Sequence, residues 1–402
     1  LVGGISCPTW RGLQGLEPAG KCGDEMDEEI KELRRAGTPA TPKLLNRAMQ
    51  GSYPPASTFK LASAYAALKL GIIQPNDTIA DGGYYRLCEG EAKGCVKRNS
   101  GSTAHGSVDL KRALTVSSDV YFYRIGDLAW RQRDELGDDA MQRHIRELGY
   151  GSRTGIDLPG ESAGTVPDPE SEMELAMSLF EADPDYFNGD EALAKDAGRW
   201  RSGFSADQAI GQKVNATPLQ TANAYAALAN GGTLYQPSVL DKITVHDSPD
   251  KIVVAYKPKA NSTVDFGSAR DSFLEGFKGV VDPSISYGGT AVNVFSGFPF
   301  SSMPLAGKTG TAQTGEDPKT GYERPDNSLF AAFTLDGNSS WTASAMFEYS
   351  GFGSSAAAPA VRHVLESIAD GSLYQFQIPE GAVIDAEAAA QQTAATSGGG
   401  GD

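Results

Sequence analysis

The stretch Tyr53-Pro54-Pro55-Ala56-Ser57-Thr58-Phe59-Lys60 decides both the fold and the chemistry. Its two adjacent prolines forbid helix up to that point, because each removes a backbone donor and restricts the residue before it. From Ser57 to Leu70 the chain is rich in Ala, Leu and Lys without a breaker, and Gly71 stands at the C-terminal cap position. A helix therefore starts at or next to Ser57. Residues i and i+3 lie one above the other on a helix, so Ser57 and Lys60 stack in its first turn. A lysine amine beside a serine hydroxyl can be its general base, provided burial or nearby positive charge lowers the lysine pKa. The helix N-terminus adds free N–H groups where an oxyanion would form. A lone S-x-x-K recurs by chance, and by itself it reads as surface helix.

Two further stretches carry weight only in company with the first. Ser117-Ser118-Asp119 interrupts a helical stretch that Ser107-Val108-Asp109 opens and Val120 to Trp130 resumes. Such residues in a break bond local backbone, so alone this is a capping turn between helices. In the functional reading, Ser117 faces Ser57 and relays a proton. Lys308-Thr309-Gly310-Thr311 lies on an expected strand, where glycine weakens the structure unless something approaches the backbone closely. A substrate peptide along that strand would be such a thing, with the cation and hydroxyls holding a carboxylate and the acyl region. Alone, it is an edge strand with a solubilising lysine.

The remaining elements suggest an architecture. Apolar runs at residues 305–312, 328–334 and 340–348, separated by Gly, Asn and Asp, read as strands. Thr217-Pro218 starts a helix through Leu228, and a last helix covers about 358–368. Asp24 to Arg35 reads as a short exposed helix, and residues 170–200 as an acidic, irregular surface excursion. Helices packed between two strand regions give an α/β fold with a mostly antiparallel sheet and one helical subdomain.

Charge and cysteine content narrow the function classes. Thirty-five basic and 51 acidic residues in a chain of 402 leave a net charge of −16, without the basic patch a nucleic-acid partner needs. No strongly apolar run reaches 18 residues, so the sequence has no membrane span. The four cysteines have the wrong gaps for zinc, and His105, His144, His246 and His363 form no ligand pattern. Cys88 and Cys95 close what looks like a hairpin tip, and Cys7 and Cys22 bracket another polar loop. Two local disulfides are the expectation, with four free or buried thiols as the alternative; bridges would imply an oxidising compartment.

The motifs are more specific as a set: S-x-x-K, then S-x-D 60 residues on, then K-T-G 191 further. This is the set of the serine penicillin-recognising enzymes. The chain resembles a class B penicillin-binding protein, specifically the elongation-type peptidoglycan transpeptidase. Leu44 to Ala48, His105 to Leu110, Val120 to Tyr123, Gly155 to Glu161, Ala209 to Gln212, Thr217 to Gln220, Gly289 to Ala291 and Ala306-Gly307 extend the likeness over about residues 44–370.

The resemblance implies a penicillin-binding/serine β-lactamase-like fold with no metal or organic cofactor. Ser57 would attack the penultimate D-Ala carbonyl of a stem pentapeptide and release terminal D-Ala. Lys60 would take its proton and Ser117 would pass it to the leaving amine. Asp119, Lys308, Thr309, Gly310 and Thr311 would bind substrate, and the backbone N–H groups of Ser57 and Thr311 would form the oxyanion hole. An amine of a neighbouring stem peptide would resolve the acyl-enzyme into a cross-link, and β-lactams would acylate the same serine. The family also implies a glycan-polymerising membrane partner of the elongation machinery. It places the enzyme on the extracytoplasmic face, held by an N-terminal anchor and pedestal expected upstream of Leu1. Residues 1–384 would be the catalytic domain, with insertions at 11–40 and 170–200, and 385–402 a disordered tail.

The middle motif usually ends in Asn and here ends in Asp119, a mark of the elongation branch that leaves open whether it binds substrate or holds Lys60. Alternatives on the same fold are a β-lactamase, a D,D-carboxypeptidase or a non-catalytic penicillin-binding sensor. The first two need a base for water, and the nearest candidates, Asp157 and Glu161, sit where turn formation explains them. Tyr53, Tyr121, Phe122 and Tyr123 read as core and His105 as structural; Gln212 reads as helix-start or loop chemistry, with a place by the cleft as the alternative for it and for Trp200.

Overall fold

The computed structural model describes residues 45–89, 94–246, 248–285, 288–315, 324–335 and 341–372. The chain divides into two units, residues 47–369 and a second made of residues 1–46 with 370–402. The helix expected at 24–35, Cys7, Cys22 and the tail lie outside the described residues.

The centre of the first unit is a three-stranded antiparallel sheet made of β1 (Leu305–Ala312), β2 (Asn327–Thr334) and β3 (Thr342–Phe347). Strand β2 lies in the middle, between β1 and β3. Every residue of β2 is buried, which is what a strand covered on both faces requires. Successive side chains then point to opposite faces. Ala331 and Phe333 join one core cluster with Phe59, Tyr225, Phe273 and Phe277. Phe330 and Ala332 join another with Phe295, Phe298, Val361 and Leu365. Helix Ala357–Ala369 covers the second face, and helices Pro218–Ala229 and Arg270–Val281 supply rings to the first. Phe277 and Phe333, for example, meet edge to face at 6.3 Å. Strand β1 is left at the sheet edge.

A 3-10 turn, Ala56–Phe59, leads into helix α1 (Lys60–Lys69), with Gly71 in the left-handed region at φ +70° as its cap. Helix α2 (Leu110–Val116) is capped by Asp109, which accepts from the Arg112 N–H, and ends on Ser117. Helix α3 (Asp119–Arg131) starts from the Ser118 hydroxyl, which accepts from the Tyr121 N–H. Gly126 of α3 lets it close on helix Ser202–Ala209, because a Cβ there would lie 2.3 Å from the Ser205 carbonyl oxygen. Thr217 and Gln220 form a reciprocal capping box ahead of helix Pro218–Ala229.

Residues 170–200 are not irregular. They hold helix Pro169–Ala182, a 3-10 turn Pro184–Phe187 and helix Glu191–Gly198. Asp168 and Ser171 make a capping box around Pro169, and that local signal outweighs the acidic composition. The hairpin expectation at Cys88 and Cys95 holds: strands Tyr84–Arg86 and Val96–Arg98 pair antiparallel, and the two cysteines are bridged beyond them. No helix among the described residues is long and apolar enough to cross a membrane.

Candidate active site

The three motifs, 60 and 191 residues apart in sequence, meet at one hydroxyl. The Lys60 Nζ donates to the Ser117 Oγ at 3.1 Å and to its carbonyl at 2.8 Å. The Lys308 Nζ donates to the same Ser117 Oγ at 2.7 Å. Asp119 Oδ1 takes a third bond from Lys60 at 2.6 Å. Ser57, Ser117, Asp119, Thr309 and Thr311 line a single cleft of about 1120 Å³ between the edge of β1, the 3-10 turn and the helical part.

Both amines have no exposed surface. Burial lowers the Lys60 pKa, against the opposing pull of Asp119. Burial and the Lys60 charge push Lys308 well below the ordinary lysine range. A lysine of lowered pKa can give up its proton near neutral pH and then accept one from a serine. Lys60 also lies 5.3 Å from the centroid of the buried Phe122 ring, which helps wall off its side chain.

The geometry around the nucleophile is tight. In a 3-10 turn residues three apart eclipse, so Ser57 and Lys60 overlie one another more closely than on an α-helix; the Lys60 N–H donates to the Ser57 carbonyl. Ala56, directly before Ser57, has φ +47°, and Ser117 has φ +59°. Both are in the left-handed region that non-glycine residues avoid. The Ser57 Oγ forms no hydrogen bond among the described residues, and the Lys60 amine is held by Ser117 and Asp119. Such contacts commonly close only with substrate bound.

Glycines let three segments crowd the serine. Gly211, at φ +82°, accepts from the Ala56 N–H at 3.1 Å; a Cβ there would sit 2.2 Å from the Ala56 oxygen. In the K-T-G motif the close approach is made by the nucleophile turn itself: a Cβ on Gly310 would be 3.1 Å from the Pro55 oxygen and from Thr58 Cγ2. From the other side Gly353 presses on Gly310, its own Cβ position lying 2.6 Å from the Gly310 oxygen. Gly310→Ala should therefore slow acylation and lower stability by about 1–3 kcal/mol. Gly353→Ala, which meets backbone only, should do more of both. Thermal melts and acylation rates check this; two variants matching the parent would contradict it.

The other expected residues sort as follows. Thr309 and Thr290 hydroxyls pair at 2.6 Å, and Thr311 Oγ1 accepts from the Gly353 N–H. Gln212, Tyr123 and His105 line the cleft. Tyr121 and Phe122 are core, and Tyr53 donates to Glu348 at 2.8 Å. Trp200 is turned away, buried, with its indole N–H on the Ser205 hydroxyl. Asp157 and Glu161 are engaged away from the cleft: Glu161 closes a local loop by accepting from the Thr154 and Gly155 N–H groups, whereas Asp157 does not serve its own turn but reaches a distant segment, accepting from the Val239 and Leu240 N–H groups. Sequence reasoning missed Lys97, which pairs with Asp207 at 2.6 Å on the cleft wall, and Gly353; neither sits in a motif.

Asp119 touches Lys60, and its charge favours the protonated amine against the stronger opposing effect of burial. Asp119→Asn keeps an acceptor oxygen and removes the charge. It should retain measurable β-lactam acylation, with the acid limb of the rate–pH profile moved to lower pH as the Lys60 pKa falls further. A folded variant that never acylates would count against this.

The comparisons agree with the geometry. The penicillin binding protein transpeptidase domain model matches residues 23–366. A peptidoglycan D,D-transpeptidase MrdA of Acinetobacter baumannii is 31% identical over 277 residues, covering 67% of this chain and 34% of its own length. The MrdA of Haemophilus influenzae is 29% identical over 348 residues, covering 83% of this chain and 47% of its own. The chain thus spans a third to a half of these curated relatives. Among solved structures, Pseudomonas aeruginosa PBP2 in complex with WCK 5153 is similar at TM-score 0.60 and 28% identity, over 81% of this chain and 63% of that one. A matched residue range of this extent, on a site built from all three motifs, places the chain in the penicillin-binding protein transpeptidase domain family.

Proposed function

We propose that this chain carries the acyl-transfer site of an elongation-type peptidoglycan D,D-transpeptidase. The observation that carries the reading is the convergence of two fully buried lysines, Lys60 and Lys308, on the Ser117 hydroxyl beside Ser57 in one cleft. Ser57 Oγ attacks the carbonyl of the penultimate D-Ala. Lys60, in its neutral form, takes the Ser57 proton. The C–N bond breaks, Ser117 passes a proton to the departing amine, and terminal D-Ala leaves. Donor peptide lies along the edge of β1, with Lys308, Thr309 and Thr311 on its carboxylate side and Asp119 near its amide. Backbone N–H groups of Ser57 and Thr311 receive the oxyanion. The amine of a second stem peptide then attacks the ester and frees Ser57. A β-lactam follows the first half of this path and stays on the serine.

The same reading sets the enzyme on the extracytoplasmic face of the membrane, with a membrane glycan polymerase of the elongation machinery as its partner. The bridge between Cys88 and Cys95 supports an oxidising compartment. The test is product analysis with a pentapeptide ending in D-Ala-D-Ala and an amine acceptor. Released D-Ala with cross-linked product is the expected result. Hydrolysed product alone would mean a carboxypeptidase, and rapid nitrocefin turnover a β-lactamase.

A further inference from the structure

Behind the Ser117-Ser118-Asp119 turn lies a buried polar cluster that no motif includes. Asp81, at the end of strand Ile79–Asp81, is 2% exposed, and among the described residues its carboxylate pairs with no cation but with three kinds of neutral donor. Ser118 Oγ donates to Oδ2 at 2.6 Å, Asn99 Nδ2 to both oxygens at 2.8 and 2.9 Å, and the Gly83 N–H to Oδ1 at 2.8 Å. Asn99, 5% exposed, in turn accepts from the Val120 N–H at 2.9 Å, and its Nδ2 also reaches the Thr103 carbonyl at 2.7 Å. Ser118 Oγ accepts from the Tyr121 N–H at 3.1 Å.

Two consecutive N–H groups at the start of α3 are therefore satisfied by side chains that Asp81 holds. Between them and α2 stands Ser117 at φ +59°, a conformation that persists only when its surroundings over-determine it. Resting on the transpeptidase reading above, we propose that Asp81, through Asn99 and Ser118, is a positioning residue that fixes the Ser117–Asp119 turn against Lys60 and Lys308. A buried carboxylate surrounded by hydrogen-bond donors is costly to assemble and rigid once assembled. Placed one residue behind the proton relay, that rigidity holds two catalytic side chains at hydrogen-bond distance from Lys60. The expected signature is loss of the chemical step with binding left intact.

The test compares Asp81→Asn, Asn99→Ala and Ser118→Ala with the parent, measuring the first-order acylation constant, the noncovalent dissociation constant for a fluorescent penicillin, and the melting temperature. Asp127→Asn is the control. Asp127 is equally buried, lies two turns along the same helix, and accepts from Tyr85, Arg131 and Ser202 with no contact to the turn. The three test variants should lose roughly 10–100-fold in the acylation constant with an unchanged dissociation constant. Asp127→Asn should lower the melting temperature and leave the acylation constant in place. Folded test variants that acylate at the parent rate overturn the proposal. So does a loss that merely tracks melting temperature along the same line as the control. A parent that fails to label at all removes the transpeptidase reading and this role with it. A parent that labels, with test variants labelling as fast, removes this role alone.

Discussion

Lys60→Met is expected to slow acylation of the serine by roughly 10²–10⁴-fold, the usual contribution of a general base, while leaving the protein as stable as the parent or more so. The two effects part company because of where the amine sits. Lys60 has no exposed surface, and burial opposes its charge. Replacing a whole buried ion pair by apolar side chains is often neutral or stabilising, and removing one partner is costly only so far as the other stays buried and unpaired. Asp119, its partner at 2.6 Å, keeps 18% of its side-chain surface exposed and can be hydrated when the amine is gone. The catalytic loss has no such relief, since Lys308 reaches Ser117 Oγ and the Thr309 carbonyl and is committed there. Stopped-flow acylation beside thermal melts reads both quantities. A Met variant acylating within a few-fold of the parent would remove Lys60 from the proton path.

Ser57→Ala should abolish covalent labelling altogether and leave the melting temperature close to that of the parent. The Ser57 hydroxyl forms no hydrogen bond among the described residues, so its removal breaks nothing that holds the fold. The turn is held by its neighbours. Thr58 Oγ1 donates to the Pro55 carbonyl at 2.6 Å, the Tyr225 hydroxyl donates to the Thr58 carbonyl at 2.8 Å, and Ala56 N–H is bonded to Gly211. A nucleophile left unbonded on a rigid turn is free to attack. Persistent labelling of the alanine variant would sink the assignment.

Much of this site is legible in sequence because its chemistry needs particular residues at short spacing. Proline before Ser57, Gly71 after the helix, the break at Ser117-Ser118-Asp119 and the start at Thr217-Pro218 each mark a boundary through local backbone bonding and stand where expected, whereas the stretch opened at Ser107-Val108-Asp109 is strand up to Val108 and helix only from Leu110. The rest depends on contacts that spacing does not encode. The 3-10 turn at Ala56–Phe59 is packed against Gly211 and Gly310, segments that meet residues 55–58 only in the folded chain. The left-handed Ser117 follows from tethers that reach back to Asn99 and Asp81. Glycine in K-T-G signalled a close approach, but the approaching backbone is the protein's own. At 170–200 the acidic composition argued for an excursion, whereas the Asp168–Ser171 capping box and the turn at Asp183-Pro184 had already marked out a helix and its end.

The central claim is that Ser57 is the acylated atom's owner and that Lys60, Ser117 and Lys308 serve it. Incubating the 402-residue chain with benzylpenicillin, digesting it, and locating the added mass by tandem mass spectrometry tests this most directly. A stoichiometric adduct on Ser57 is the predicted result, and an adduct on Ser117 or any other residue, or none in a folded protein, would contradict it.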